Sequence, residues 1–287
     1  MAALDGLLFV IHEGKRKFNI PQELFMDMLL LGLPSAIIGA RIYYVAFKWE
    51  DYRDNFWGVF KIWNGGIAIF GALIGAIIFA IIFFRRKGHN FWRMVDICAP
   101  GLIVGQLIGR WGNFVNQEAY GGTVEESFLQ DKLHLPDFVV NQMNIDGVFH
   151  HPTFLYESFW NLVGLVLLLI LRRQKFLRSG ELFMSYFIWY SIGRFFIEAL
   201  HTDSLGFQAP HWLAYVVNGL WSPMTSFGFK QGYLDPVYGN VRISQLLAIA
   251  IIIIAVTFIV VRRVTGKADE RYSDPIVSNK VAPTRTL

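Results

Sequence analysis

Residues 66–84 read GIAIFGALIGAIIFAIIFF, 19 consecutive positions without a charge. A helix of that length reaches roughly 29 Å at about 1.5 Å per residue, close to the hydrocarbon thickness of a bilayer. A helix that is apolar on every face has no solvent side, so a chain built on such segments is constrained to a membrane. Residues 246–261 form a second uninterrupted block. Weaker blocks, each carrying one or two polar residues, cover 24–47, 95–108, 154–171 and 181–200. Residues 2–11 are also mostly apolar but extend only about 15 Å as a helix, too short to cross alone. They lack the basic start and small-residue cleavage site of a signal peptide, and read as the second half of a span whose first half is missing. The expected fold is all-α, a polytopic transmembrane bundle of about seven spans, the first one truncated, with small extracytoplasmic loops. Residues 1–265 form one membrane domain, and the polar stretch 266–287 is expected to be a disordered cytoplasmic tail.

The net charge of +4 conceals an uneven distribution. Basic residues gather in alternate loops: Lys15, Arg16 and Lys17; Arg85, Arg86, Lys87 and Arg93; Arg172, Arg173, Lys175 and Arg178; and the tail from Arg262. The positive-inside rule puts these loops and the C-terminus in the cytoplasm. Three regions, 48–64, 110–152 and 201–244, then face outward. They are rich in aromatics, including Trp111, Tyr120, Trp212, Tyr215, Trp221, Tyr233 and Tyr238, which suit a membrane interface.

Against this apolar background the polar residues inside spans stand out. An ionised side chain in hydrocarbon costs several kcal/mol unless it is paired or faces a polar cavity. Arg194 and Glu198 are four apart in the block 181–200, so they share one helix face, with Tyr190 a turn earlier. Residues 109–122, GRWGNFVNQEAYGG, place Arg110 at the outer end of the span 95–108. Arg110 and Asn113 face together if the helix continues, and Asn116, Glu118, Gly121 and Gly122 follow where the chain must turn. In HPTFLYES (151–158), Pro152 suits a helix start, His151 is a cap or a general base, and Tyr156 and Glu157 fall in the first turns. Glu157 there calls for an arginine from a neighbouring helix. Arg41, near the outer end of its span, is a further candidate for the same polar centre, and Arg242 and Gln245 open the last span. Asp27 and Asp96 lie near cytoplasmic helix starts, where the helix dipole favours negative charge, and are read as structural. Two guanidiniums from separate helices at the outer leaflet suit bidentate capture of a phosphate. The single cysteine, Cys98, excludes an internal disulfide and has no base nearby in sequence. No metal-ligand spacing is present, and no metal, cofactor or nucleic acid is expected.

The strings GAR-x-YYV (39–45), NGGIAI-x-G-x-LIG (64–75), GR-x-GNF-x-N-x-E (109–118), HP-x-x-LYE (151–157), Y-x-x-GRFFIE (190–198), TDSL (202–205) and RISQ (242–245) together resemble bacterial prolipoprotein diacylglyceryl transferases. The resemblance implies an enzyme of the bacterial inner membrane. It would move a diacylglyceryl group from phosphatidylglycerol to the lipobox cysteine thiol of a preprolipoprotein, forming a thioether and releasing glycerol 1-phosphate. It further implies that Arg110 and Arg194 hold the phosphate, that Asn113 and Tyr190 bond the headgroup, and that Glu118 and Glu198 fix the arginines. One of these carboxylates or His151 would be the base, and Gly121 would allow close backbone approach. Asn116, Tyr156, Glu157 and Arg41 join the expected substrate-binding set. The chain departs from the pattern in three places: the first span lacks a Tyr-Gly pair, Phe70 stands where His is frequent, and His201 stands where Arg is common. An anion transporter and an inactive truncated homologue are the alternatives.

Overall fold

A computed structural model describes residues 2–53, 56–201, 205–230, 239–268 and 270–275. Part of the TDSL string, Tyr233, Tyr238 and the end of the expected tail lie outside these. The described residues form two compact units, one of residues up to Phe9 with Cys98–Ser273, the other of Val10–Ile97 with Asp274 and Pro275. Nine α-helices are described: α1 (Ala2–Phe18), α2 (Gln22–Phe47), α3 (Ile69–Arg86), α4 (Phe91–Asn116), α5 (Asp137–Gln142), α6 (Thr153–Leu171), α7 (Glu181–Glu198), α8 (His211–Trp221) and α9 (Ile243–Val264). The only described strands are four two-residue pieces: β1 (Asn144–Ile145), β2 (Val148–Phe149), β3 (Gly206–Phe207) and β4 (Val241–Arg242), paired β1–β2 and β3–β4, both antiparallel. The all-α polytopic reading holds.

Among the described residues, five helices are long and apolar enough to cross a membrane: α2, α3, α4, α6 and α9. α1 carries its helix through the basic run to Phe18 instead of ending before it. α7 has the length but holds Glu181, Arg194 and Glu198. It tolerates them because it is the most enclosed helix of its unit, with Leu182, Met184, Ser191, Gly193, Phe195, Ile197 and Glu198 all buried. Charges on such a helix meet protein rather than lipid.

α6 shows the same inversion. Its buried stripe runs Thr153, Phe154, Glu157, Ser158, Asn161, Gly164 and Leu168, at helical spacing, while Phe159, Leu162, Val166, Leu167 and Ile170 are exposed. Polar-in and apolar-out is the pattern of a helix whose solvent is hydrocarbon. In the other unit α2 and α3 pack through small residues. A Cβ on Gly39 would stand 2.5 Å from the Gly71 carbonyl and 2.9 Å from the Gly75 Cα, so only glycine permits this approach.

The segment between α4 and α6 builds a small head. A π-helical turn (Phe128–Lys132), α5 and the β1–β2 hairpin enclose Leu129, Val139, Val140, Met143 and Phe154. Asp146 and Gly147, with φ of 53° and 82°, close the hairpin, as a two-residue turn matched to strand twist requires. Residues 270–272, within the expected tail, pack against the loop before α7. There Ser179 N donates to the Glu270 carbonyl (2.9 Å), Tyr272 N donates to the Leu177 carbonyl (2.9 Å), and Tyr272 is buried.

Candidate functional site

α4, α6 and α7 bring four charged side chains to the same point, two of them from α7. Arg110, on the last full turns of α4, pairs through Nε with Oε2 of Glu157 on α6. Arg194 on α7 reaches the other oxygen of that carboxylate at 3.3 Å and Glu198, one turn on, at 2.5 Å. His201 Nε2 lies 3.6 Å from Glu157 Oε1. Arg242, buried at the end of β4 just before α9, feels the charge of Glu198. Among the described residues, three guanidiniums thus act on two carboxylates, an excess of one positive charge. Arg110, Glu157, Trp160, Asn161, Tyr190, Gly193, Arg194 and Ile197 line the cleft at this point. A partly desolvated cationic cleft is a site for an anion.

A larger, apolar cavity adjoins it. Its volume is about 450 Å³, and its walls include Leu133, Leu135, Tyr156, Phe159, Met224 and Phe229. Trp160, Gly193 and Ile197 line both spaces. A ligand with an anionic group joined to a hydrocarbon chain matches this pair of compartments.

The other residues singled out in the sequence divide into separate groups. Asn113, Asn116 and Glu118 do not reach the arginines. They belong to the end of α4, where Glu118 N donates to the Asn113 carbonyl (3.0 Å) and Gln117 N to the Phe114 carbonyl (3.3 Å). This is a Schellman ending, with Gln117 at φ 52° in the position usually taken by glycine. The Asn113 and Asn116 amides donate to Glu118 Oε1 at 3.4 and 3.3 Å, which holds this exposed carboxylate at the helix end. Glu118 was expected to orient the arginines; Glu157 occupies that place, because it sits on the facing helix at their level.

Gly121 was expected to allow close backbone approach; positive φ in this turn falls on Gln117 and Ala119. What Gly121 supplies is proximity: a Cβ there would meet the His151 Cβ at 2.7 Å and the Leu200 carbonyl at 3.1 Å. Its N–H donates to the His151 carbonyl, its carbonyl accepts from His150 Nδ1 (2.9 Å), and Gly122 N donates to the Leu200 carbonyl. The end of α4, the start of α6 and the end of α7 are tied together through these bonds.

His151 lies in an aromatic box of Phe128, Phe229 and Tyr156, with Nδ1 3.1 Å from the Tyr156 hydroxyl. Burial, with a smaller contribution from His150, lowers its pKa from 6.5 to about 4. Because the folded value is the lower one, the unfolded chain binds more protons between pH 6.5 and 4. This contribution to stability is therefore complete above pH 6.5 and is lost as pH falls through that window. The thermal midpoint of the wild type is expected to drop from pH 6.5 to 4, and that of His151→Asn to drop less steeply; parallel curves would contradict the assignment.

Arg41 belongs to the other unit, that of α2 and α3. Its guanidinium donates to the carbonyls of Gly58, Val59, Gly65 and Gly66 at 2.7 to 2.8 Å, four bonds in all. With five N–H donors on the group, one remains for a ligand, so Arg41 is foremost a clamp on the loop before α3. Gly66, at φ 74°, is required there, because a Cβ would stand 2.5 Å from Arg41 Nη1.

Sequence reasoning passed over Trp160, Asn161 and the contact of His201 with Glu157. The signal for Trp160 was its spacing of three from Glu157, which puts it on the same face of α6.

The sequence model of the prolipoprotein diacylglyceryl transferase family matches residues 1–261. Proteins of Bacillus cereus (strain ZK / E33L) and Bacillus anthracis (strain CDC 684 / NRRL 3495), each named phosphatidylglycerol–prolipoprotein diacylglyceryl transferase, are 48% identical to this chain over 271 residues, covering 94% of it and 88% of their own length. A Bacillus thuringiensis subsp. konkukian (strain 97-27) protein of the same name matches equally. An ion cluster drawn from three helices, open to an apolar cavity, therefore stands in a chain that belongs to the prolipoprotein diacylglyceryl transferase family.

Proposed function

We propose that this enzyme acts in the bacterial cell membrane, C-terminus in the cytoplasm, and transfers diacylglyceryl from phosphatidylglycerol to the lipobox cysteine of a preprolipoprotein. The observation that carries this reading is the convergence of Arg110 and Arg194 on Glu157 at the edge of the apolar cavity. The lipid phosphate sits between the two guanidiniums, with Tyr190 beside it, and an acyl chain lies in the cavity. Glu157 and Glu198 orient the arginines and lie within the same cluster to receive a proton. The thiol of the incoming cysteine gives up its proton to a carboxylate of this cluster. Its sulfur attacks the glyceryl carbon that bears the phosphate oxygen; the C–S bond forms as the C–O bond breaks. Charge gathers on the departing glycerol 1-phosphate, and fixed guanidiniums stabilise it without reorganisation. The nucleophile belongs to the substrate, which fits a chain whose single cysteine lies on α4. Residues 1–265 act as one catalytic domain.

The test uses purified enzyme in vesicles containing phosphatidylglycerol, with a lipobox peptide read by mass spectrometry. Wild type is expected to add one diacylglyceryl group to the cysteine. Arg110→Ala is expected to lower the rate about 10²–10³-fold, the usual loss for one donor to a developing anion. Peptide modified at the wild-type rate by Arg110→Ala would overturn the phosphate assignment. No modification by folded wild type would overturn the reading itself.

A further inference from the structure

α6 and α7 cross at a matched pair of sites. The indoles of Trp160 and Trp189 stack at 4.1 Å with 10° between their planes. Each Nε1 donates to the other residue's backbone carbonyl at 2.9 Å. Four residues on from each tryptophan is a glycine, Gly164 after Trp160 and Gly193 after Trp189. A Cβ on Gly193 would collide with the Trp160 pyrrole ring, and one on Gly164 with that of Trp189. Each helix thus receives the other's tryptophan over a glycine, and the two hydrogen bonds fix both the rotation and the axial register of the pair.

That register bears on the ion cluster. Glu157 is one turn before Trp160 on α6, and Arg194 directly follows Gly193 on α7. Their 3.3 Å contact spans the same helix interface. Trp160 also forms the partition between the charged cleft and the apolar cavity, since it lines both. A rotation of either helix would carry Glu157 or Arg194 off axis, and in an anion site small misplacements are costly.

We infer that Trp160 and Trp189, seated on Gly164 and Gly193, are positioning residues that set the separation of Glu157 and Arg194 and so hold Arg194 at the phosphate of the lipid substrate. This rests on the transferase reading above. The tryptophans act through Arg194; they exchange no proton and make no bond with the reacting atoms.

The experiment compares wild type, Gly193→Ala, Trp189→Phe and Gly219→Ala in phosphatidylglycerol vesicles with the lipobox peptide, measuring both Michaelis constants and the thermal midpoint. Gly193→Ala forces the Trp160 ring aside. It is expected to raise KM for phosphatidylglycerol about 10-fold or more and leave KM for the peptide unchanged. Trp189→Phe keeps the ring stack but loses one hydrogen bond, and is expected to raise KM for the lipid by a smaller factor, about 3-fold. Gly219, on α8, has open space where a Cβ would go, so Gly219→Ala is expected to match wild type. A loss of stability alone would shrink the active fraction, lowering kcat and leaving both KM values where they were. That outcome for Gly193→Ala and Trp189→Phe overturns the inference, as does a wild-type lipid KM in both. If Gly193→Ala does not fold, the lipid KM of Trp189→Phe decides alone. Inactive wild type would instead count against the transferase reading.

Discussion

Arg194→Lys is expected to lower kcat/KM for phosphatidylglycerol about 10²-fold while the protein stays folded. Lysine keeps the positive charge, so a large loss must come from geometry. Arg194 uses one nitrogen on Glu157 at 3.3 Å and another on Glu198 at 2.5 Å, a spread that a single ammonium does not reproduce. A third direction of its planar fork is left for a phosphate oxygen. Arg194→Ala is the poorer test, because it removes the charge and the fork geometry together, while Arg110 still holds Glu157. Steady-state kinetics at matched thermal midpoints gives the measurement. A loss below about 3-fold for Arg194→Lys would mean that charge alone suffices there.

Arg41→Ala is expected to release the loop before α3. Four carbonyls, of Gly58, Val59, Gly65 and Gly66, lose their donor at once. Each net hydrogen bond contributes about 1 kcal/mol, and a carbonyl left buried without a partner costs more. The sum, discounted because the loop relaxes toward water, is about 3 kcal/mol. Arg41→Lys recovers less than half, since a lysine ammonium has three donors and no planar fork. Limited proteolysis is the measurement, with new cleavage expected within residues 56–66. Wild-type protection of that loop in Arg41→Ala would show that the 3-10 turns there (Phe56–Phe60 and Ile62–Asn64) hold without the clamp.

Much of the architecture was legible because hydrocarbon imposes a simple rule on sequence. Uncharged runs such as residues 66–84 have no alternative to a long apolar helix, and α3 starts within that run. The same rule exposed Arg110, Glu157, Arg194 and Glu198, whose charges needed partners and found one another. Which carboxylate served which arginine was not legible. Glu118 was the nearer in sequence to Arg110, but a helix ends between them at Asn116, whereas Glu157 faces Arg110 from another helix. Arg41 carried no mark distinguishing a loop clamp from a ligand residue, because its partners are backbone carbonyls that look alike in any sequence. The Trp160–Trp189 crossing did leave a trace, the same Trp-x-x-x-Gly spacing on α6 and α7. Its meaning emerges only once those two helices are known to be neighbours.

The central claim is that one phosphate is held by two guanidiniums from separate helices. A structure of the enzyme with phosphatidylglycerol in a lipid nanodisc tests it most directly. The account predicts phosphate oxygens at roughly 2.7–2.9 Å from nitrogens of both Arg110 and Arg194, the distance of a charge-assisted hydrogen bond, with an acyl chain between Phe159 and Phe229. Headgroup density that leaves Arg110 and Arg194 on Glu157 and Glu198, with the phosphate held elsewhere, would contradict it.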